Sequence, residues 1–145
     1  MNNRLSPWLV IALGLWLAGC AIKNPVPLYE GEKRSPDQIA VLVIPSALDI
    51  KSYDDEPLPV LWGEPDNRVF HITPGAHTIS LRYWQDWPHS DLDTPIIKSR
   101  VKTLHFTAEA GARYKVEPPM PTTVEAAQRF AREAPFEIVE VAETP

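Results

Sequence analysis

The chain has 145 residues, a formal net charge of −5 and a single cysteine. This length suits one domain of about 100 residues together with a leader and a linker. The acidic balance, without a cluster of Lys or Arg, argues against a nucleic-acid partner and against adsorption to anionic lipid head groups. A single cysteine excludes an internal disulfide, so the domain depends on its apolar core.

The N-terminal segment has the three-part layout of a secretory signal. Arg4 supplies a positive start, residues 8–18 are apolar apart from one glycine, and Leu17, Ala18 and Gly19 lead into Cys20. The apolar stretch is too short for a membrane-spanning helix, which needs about 20 residues. The pattern Leu-Ala-Gly-Cys resembles the lipobox of bacterial lipoproteins.

The lipobox resemblance implies a lipid anchor. In such proteins the cysteine sulfur receives a diacylglycerol, the chain is cut before the cysteine, and the new amino group is acylated. Residues 1–19 are therefore predicted to be the signal peptide, and two acyl chains already anchor a protein stably. Because Ala21 rather than Asp follows Cys20, the resemblance implies the outer membrane, on its periplasmic face. The alternatives are an ordinary signal peptide with an incidental cysteine, or a short membrane anchor.

A linker separates the anchor from the folded part. Residues 20–37 contain three prolines and mixed charges without an apolar period, which predicts a lipidated cysteine followed by a flexible tether. The globular domain is predicted over residues 38–145.

Short strand patterns begin the domain. The apolar run at residues 39–44 predicts a buried strand, and the alternation at residues 48–53 predicts a half-buried one. A short edge segment is predicted at residues 60–62.

The clearest local pattern is that of a hairpin around Pro74 and Gly75. Residues 68–73 lead in and residues 76–84 lead out, with Ile79, Leu81 and Tyr83 on one face. Proline followed by glycine suits the centre of a type II turn.

The remaining elements are strands and one helix. Residues 96–108 predict a strand with a bulge near Lys102 and Thr103, and a turn at 109–111 predicts that residues 112–116 pair back with it. Thr122 and Glu125 match a capping box for a helix over residues 123–134. A last strand is predicted at residues 136–141. The expected fold is mainly β, an antiparallel β-sandwich-like domain with one C-terminal helix.

Three segments together resemble the YccT-like family of exported Gram-negative proteins, which is uncharacterised. They are residues 41–50, 74–83 and 110–135. Members of that family carry an ordinary signal peptide, so Cys20 is a departure. The segment around Pro74 also resembles the turn of PEGA-type surface β-domains, without its glutamate. Neither resemblance implies a catalytic residue.

Two histidines are the candidates for metal chemistry. His71 and His77 flank the Pro74 turn and face each other if the hairpin forms. A zinc site requires three or four ligands, and no third ligand stands at suitable spacing. We therefore predict two solvated or packed histidines, with no metal and no cofactor.

An aromatic surface is the candidate binding site. Trp84 and Trp87 lie on either side of Asp86 at the end of a predicted strand. Exposed aromatic side chains beside an acid stack on a glycan or hold a protein partner. The alternative is that the tryptophans cover the second face of the sheet beneath the helix.

The sequence contains no nucleophile elbow, phosphate loop or dinucleotide fingerprint, so we do not expect an enzyme. The leading hypothesis is an outer-membrane-anchored periplasmic lipoprotein that acts as a binding or accessory module for an envelope protein or glycan. The alternatives are a structural envelope lipoprotein without a dedicated ligand and, last, a metal-dependent hydrolase using His71 and His77.

Overall fold

A computed structural model describes residues 25–58, 66–87 and 96–142. The predicted signal peptide, Cys20 and the edge segment at residues 60–62 lie outside these ranges. No helix within the described ranges is long and apolar enough to cross a membrane.

Short strands make up about half of the described chain, and one helix lies near its C-terminal end. The strands are β1 (Val26–Pro27), β2 (Ala40–Pro45), β3 (Leu48–Tyr53), β4 (Asn67–Ile72), β5 (Gly75–Asp86), β6 (Ile96–Lys98), β7 (Lys102–Ala108), β8 (Arg113–Glu117) and β9 (Glu137–Glu140). The helix α1 (Val124–Glu133) lies between β8 and β9. A 3₁₀ turn at Pro36–Gln38 precedes β2.

The strands form two sheets. The first sheet has the order β1-β4-β2-β8-β9, in which β1 runs parallel to β4 and β2 parallel to β8. The second sheet is built on β5, with β3 on one edge and β6 and then β7 along the other. The prediction of a mainly β domain with one C-terminal helix is confirmed.

The core lies between the inner faces of the two sheets and is closed by α1. It follows the period of two along the strands: Leu42 and Phe70 point inward from the first sheet, and Leu81 and Tyr83 from the second. On α1, the Phe130 ring centroid lies 5.2 Å from that of Tyr83. Burial of each such side chain contributes about 1.5–3 kcal/mol to the free energy of unfolding.

Both predicted hairpins are wrong, because each turn connects the two sheets instead of pairing its flanking strands. At Pro74, β4 pairs with β2 in the first sheet while β5 pairs with β3 and β7 in the second. At Gly111, β7 belongs to the second sheet and β8 pairs with β2 and β9 in the first. Periodicity identifies the buried face of a strand and not its neighbour. The hairpin on which the PEGA resemblance rests is therefore not formed.

The strand predicted over residues 96–108 is interrupted by a bulge just before the predicted position. The register pairs Trp84 with Lys98 and Leu81 with Lys102, so the edge strand carries one residue more than β5 between these pairs. At the break, the buried hydroxyl of Ser99 accepts a hydrogen bond of 2.9 Å from the Tyr83 amide. A side-chain oxygen there takes the place of a ladder carbonyl, which allows the strand to shift register.

The helix begins one residue later than predicted, and so does its cap. Thr123, not Thr122, is the N-cap, and its hydroxyl accepts a hydrogen bond of 3.2 Å from the Ala126 amide. The C-cap Ala134 has a φ of 44°, and its amide donates to the Phe130 carbonyl. A left-handed residue is a common way to end a helix.

Part of the predicted tether belongs to the first sheet. Val26 and Pro27 pair with Phe70 and His71 in parallel register. The Leu28 amide then donates to the His71 carbonyl over 2.8 Å. The chain thus joins the folded domain at the β1 edge of the first sheet.

Candidate functional site

The exposed large hydrophobic side chains of the described residues all lie around β6. Trp84, Ile96 and Val101 are 40%, 55% and 51% exposed. Trp84 is directly opposite Lys98 in the ladder, and Asp86 is opposite Ile96, so these four side chains share the outer face of the second sheet. A concentration of exposed apolar surface at one place is typical of an interaction site.

The predicted aromatic site is divided between the surface and the core. Asp86 and Trp84 are exposed, whereas Trp87 is half-buried and packs against the core. The Trp87 indole donates to the Tyr83 hydroxyl over 3.2 Å, and that hydroxyl donates to Gln85. Burial raises the pKa of Tyr83, partly offset by the hydrogen bond from Trp87.

Trp84 does not lie beneath the helix. Tyr83 contacts Phe130 of α1 from the inner face of the second sheet. Trp84, the next residue along the strand, therefore points to the opposite face.

A groove of about 950 Å³ runs between β6 and α1. The bulge after β6 supplies one wall, and helix residues at spacings of three and four supply the other. The residues that define the groove are Ile96, Lys98, Arg100 and Val101 on the strand side and Gln128, Ala131 and Arg132 on the helix side.

The groove is basic although the chain is acidic. Lys98, Arg100, Lys102 and Arg132 line it, and among the described residues Glu133 is the only acid that does so. Lys102 is engaged, because its amine donates to the carbonyls of Ala134 and Phe136 over 3.0 and 2.9 Å.

The other three cations of the groove are unpaired. Lys98, Arg100 and Arg132 make no ion pair and no side-chain hydrogen bond within the part of the chain that the structure describes. Sequence reasoning missed this cluster, because its cations come from two segments about thirty residues apart and form no run in the sequence.

His77 is buried and joins two turns in a structural cluster. Its Nδ1 lies 2.7 Å from Asp54 Oδ2 and its Nε2 lies 2.6 Å from the Thr73 carbonyl oxygen. The ring stacks on Tyr53 and contacts Phe106. Since a carboxylate and a carbonyl only accept, both contacts are hydrogen bonds when both ring nitrogens carry hydrogen.

Asp54 occupies a two-residue turn after β3. Asp54 and Asp55 have φ values of 48° and 66°, and Tyr53 and Glu56 exchange backbone hydrogen bonds across them. Positive φ at both central residues is the mark of a type I′ turn. Burial, with the charge of Asp54 added, raises the pKa of Tyr53 well above its usual range.

The two histidines do not face each other, contrary to the sequence-based expectation. His71 lies on β4 in the first sheet and His77 on β5 in the second. No group of three or more His, Cys, Asp or Glu side chains with metal-binding geometry occurs in the described ranges. The cluster around His77 holds two turns together and leaves neither ring nitrogen open to a ligand.

Comparison with curated proteins and with solved structures gave no match. A family model of uncharacterised proteins conserved in bacteria (DUF2057) matches residues 44–145. The matched range runs from the end of β2 through all later elements of the fold and covers well over half of the sequence. The chain therefore belongs to this uncharacterised bacterial family.

Proposed function

We propose that this protein is an outer-membrane-anchored periplasmic lipoprotein that acts as a binding or accessory module for an envelope protein. The anchor is supported by the sequence Leu17-Ala18-Gly19-Cys20. The binding role is supported by one observation above all, the coincidence of exposed hydrophobic side chains and unpaired cations at the groove between β6 and α1. Exposed aromatic and arginine side chains are the residues that most often dominate protein interfaces.

The composition of the groove favours binding over catalysis. Within residues 25–58, 66–87 and 96–142, the lining includes no histidine, serine or cysteine, and Glu133 is its only carboxylate. A nucleophile paired with a base is the usual requirement for covalent catalysis. Cations beside apolar side chains instead supply charge steering and contact area to a partner.

The groove also lies away from the point where the N-terminal segment enters the domain, so a partner can reach it. The chain enters the domain at β1, and β1 and β9 occupy opposite edges of the first sheet. Since β7 contacts β9, the β6–β7 edge lies on the flank away from the point where the tether arrives. A partner that approaches the groove is therefore not obstructed by the attachment to the membrane.

The test is site-specific photo-crosslinking of the full-length protein in its own cells. A photoreactive phenylalanine analogue replaces Ile96, which is 55% exposed at the groove. The matched control carries it at Thr107, an exposed position on β7 whose side chain lies outside the groove. We expect a discrete protein adduct from position 96 and none from position 107.

The absence of a protein adduct at position 96 during both growth and stationary phase would contradict the proposal. It would instead favour a structural lipoprotein without a dedicated ligand. Equal adducts from the two positions would show that the domain surface is contacted nonspecifically, which also contradicts a site at the groove.

A further inference from the structure

We infer that the groove receives an extended, acidic segment of the partner protein, which adds as a strand to the free edge of β6. This inference rests on the proposed function and names the chemistry of the partner. Strand addition uses main-chain hydrogen bonds for affinity and alternate side chains for specificity.

Among the residues that the structure describes, no strand pairs with the edge of β6 that faces away from β5. The Trp84 amide donates to the carbonyl of Ala47, on the side of β5 opposite β6. The Ser99 amide, just after β6, donates to the Tyr83 carbonyl. In an antiparallel ladder hydrogen-bonded and non-bonded pairs alternate. Trp84 and Lys98 therefore form a non-hydrogen-bonded pair. The backbone N–H and C=O of Lys98 point away from β5, toward the groove.

Charge selects an acidic segment. Lys98, Arg100 and Arg132 are exposed and have no ion-pair partner among the described residues. Lys98 and Arg100 flank the free edge from the strand side, and Arg132 faces it from α1. A carboxylate on either face of an added strand thus meets a cation, whereas a basic segment would meet like charges.

The apolar side chains of the groove supply contact area between these cations. Ile96 lies on the outer face beside Trp84, and Val101 lies at the bulge. Ala131 and Ala134 are small residues in the helix wall of the groove. They leave room for a side chain of the added strand. The best occupant is therefore a segment in which acidic and β-branched residues alternate.

Two other occupants fit less well. A second copy of this chain would bring two β6 edges together and set Lys98 and Arg100 against the same cations, which is unfavourable for cross-strand neighbours. A membrane surface is flat, whereas the unpaired cations here line a concave groove. Both are distinguishable outcomes of the crosslinking at Ile96, as an adduct of twice the chain mass or as a lipid adduct.

The direct test uses a fluorescein-labelled octapeptide of alternating glutamate and valine with the purified full-length protein in neutral detergent. We expect the peptide to bind in fluorescence anisotropy, and Arg100→Glu to weaken binding about tenfold or more. The matched control is Arg113→Glu on β8, an exposed arginine of the first sheet outside the groove, which we expect to leave the affinity unchanged. A peptide with lysine in place of glutamate should not bind.

A further peptide separates strand addition from simple charge attraction. With a methyl group on every backbone amide nitrogen, the glutamate–valine peptide keeps its charge and side chains but has no amide hydrogen left to donate to β6 in either register. We expect the methylated peptide to bind at least about tenfold more weakly than the unmethylated one. Equal binding of these two peptides would overturn strand addition. Binding of the lysine peptide, or an unchanged affinity in Arg100→Glu, would overturn the acidic segment.

The two proposals fail separately. Should the glutamate peptide not bind while position 96 still yields a protein adduct in cells, the acidic strand is wrong and the binding module stands. Should no adduct form at position 96, the proposed function itself is wrong.

Discussion

At the residue scale, His77 connects two turns that lie far apart in the sequence. Its ring bonds to Asp54 in the turn after β3 and to Thr73 in the connection between the sheets. Asp54 adds a second link, because its other carboxylate oxygen accepts the Thr78 amide over 2.8 Å. A buried polar group that is fully bonded fixes one arrangement of the chain, and a half-bonded one is costly.

We expect His77→Ala to lower the free energy of unfolding by about 2 kcal/mol, because it removes the buried ring together with its contacts to Asp54 and to the Thr73 carbonyl. His71→Ala is the matched control: His71 is half-buried on the outer side of β4, and its loss should cost less than about 1 kcal/mol. Urea unfolding followed by circular dichroism measures both. Equal losses in the two variants would contradict the assignment of His77 to a structural cluster.

The cap of α1 gives a second comparison at single residues. Thr123→Ala removes the hydroxyl that accepts the Ala126 amide, and we expect a loss of about 1 kcal/mol. Thr122→Ala changes the adjacent exposed threonine and should be close to neutral. Thermal melts of both variants test this, and a larger effect at Thr122 would restore the cap predicted from the sequence.

The ion pairs of Asp49 are expected to make the free energy of unfolding fall as the pH becomes acidic. Burial raises the pKa of its carboxyl, but hydrogen bonds and charge from Lys51 and Arg82 outweigh burial and hold the pKa below its usual range. A lowered folded-state pKa means that the stabilisation is complete above about pH 4, the value of an unfolded aspartate, and disappears as the pH falls further.

Asp49→Asn should therefore lower stability at neutral pH and make no difference in acid. The loss at pH 7 should stay below about 1 kcal/mol, since the carboxylate is partly exposed to solvent. Urea unfolding at a series of pH values measures the difference, with Asp55→Asn as the control for an exposed carboxyl outside this ion-pair group. A difference that does not shrink on acidification would contradict the explanation.

At the scale of elements, the sequence predicted most of the strands after residue 38 and their buried faces, but neither β1 nor the neighbours of each strand. The alternation of Ile79, Leu81 and Tyr83 located the inner face of β5, because burial imposes a period of two. The connections at Pro74 and Gly111 carry turn residues that suit a hairpin and a crossover equally. Which of the two forms depends on pairing with β2, a strand about thirty residues or more away from either turn.

The same limit applies to the candidate site. The alternation along the strand placed Trp84 on the face opposite Tyr83, but it left open whether that face is exposed or covered by the helix. Trp87 was assigned to the same surface, but it turns inward to bond Tyr83. The basic groove exists only because α1 packs beside β6, and no local pattern in the sequence indicates that contact.

Lys102 attaches α1 to the edge strand. It points inward from β7, and its amine donates to the carbonyl of the C-cap Ala134 and to that of Phe136, just beyond the helix. The amine also lies 5.4 Å from the Phe136 ring centroid. A cation at a helix C-terminus is favourable, because the last carbonyls carry partial negative charge.

We expect Lys102→Ala to lower the free energy of unfolding by about 1.5–3 kcal/mol, the usual range for hydrogen bonds to a charged group. Lys98→Ala removes an exposed, unpaired lysine from the same edge and should change stability by less than about 0.5 kcal/mol. Chemical denaturation of the two variants makes the comparison. If Lys102→Ala is as mild as Lys98→Ala, the helix is held by its apolar face alone.

At the scale of the whole molecule, the two sheets give the domain two different flanks. One flank carries β1, where the chain arrives from its N-terminal segment, and the other carries β9, β7 and the groove beside α1. The proposed anchor on the first flank and the proposed binding surface on the second are therefore separate in space. Loss of the anchor should therefore change where the protein is and leave the fold and the groove unchanged.

Cys20→Ser tests this separation, because serine has no thiol to receive a diacylglycerol. We expect the variant to incorporate no labelled palmitate, while its circular dichroism and melting temperature match those of the unaltered chain. Ala21→Asp is the matched control, since it leaves the cysteine free to be lipidated. By resemblance to other lipoproteins, we expect this variant to stay in the inner membrane. Palmitate label that persists in Cys20→Ser would disprove the anchor. A melting temperature that falls in Cys20→Ser would show instead that the lipid end contributes to the fold, and the two flanks would then not be independent.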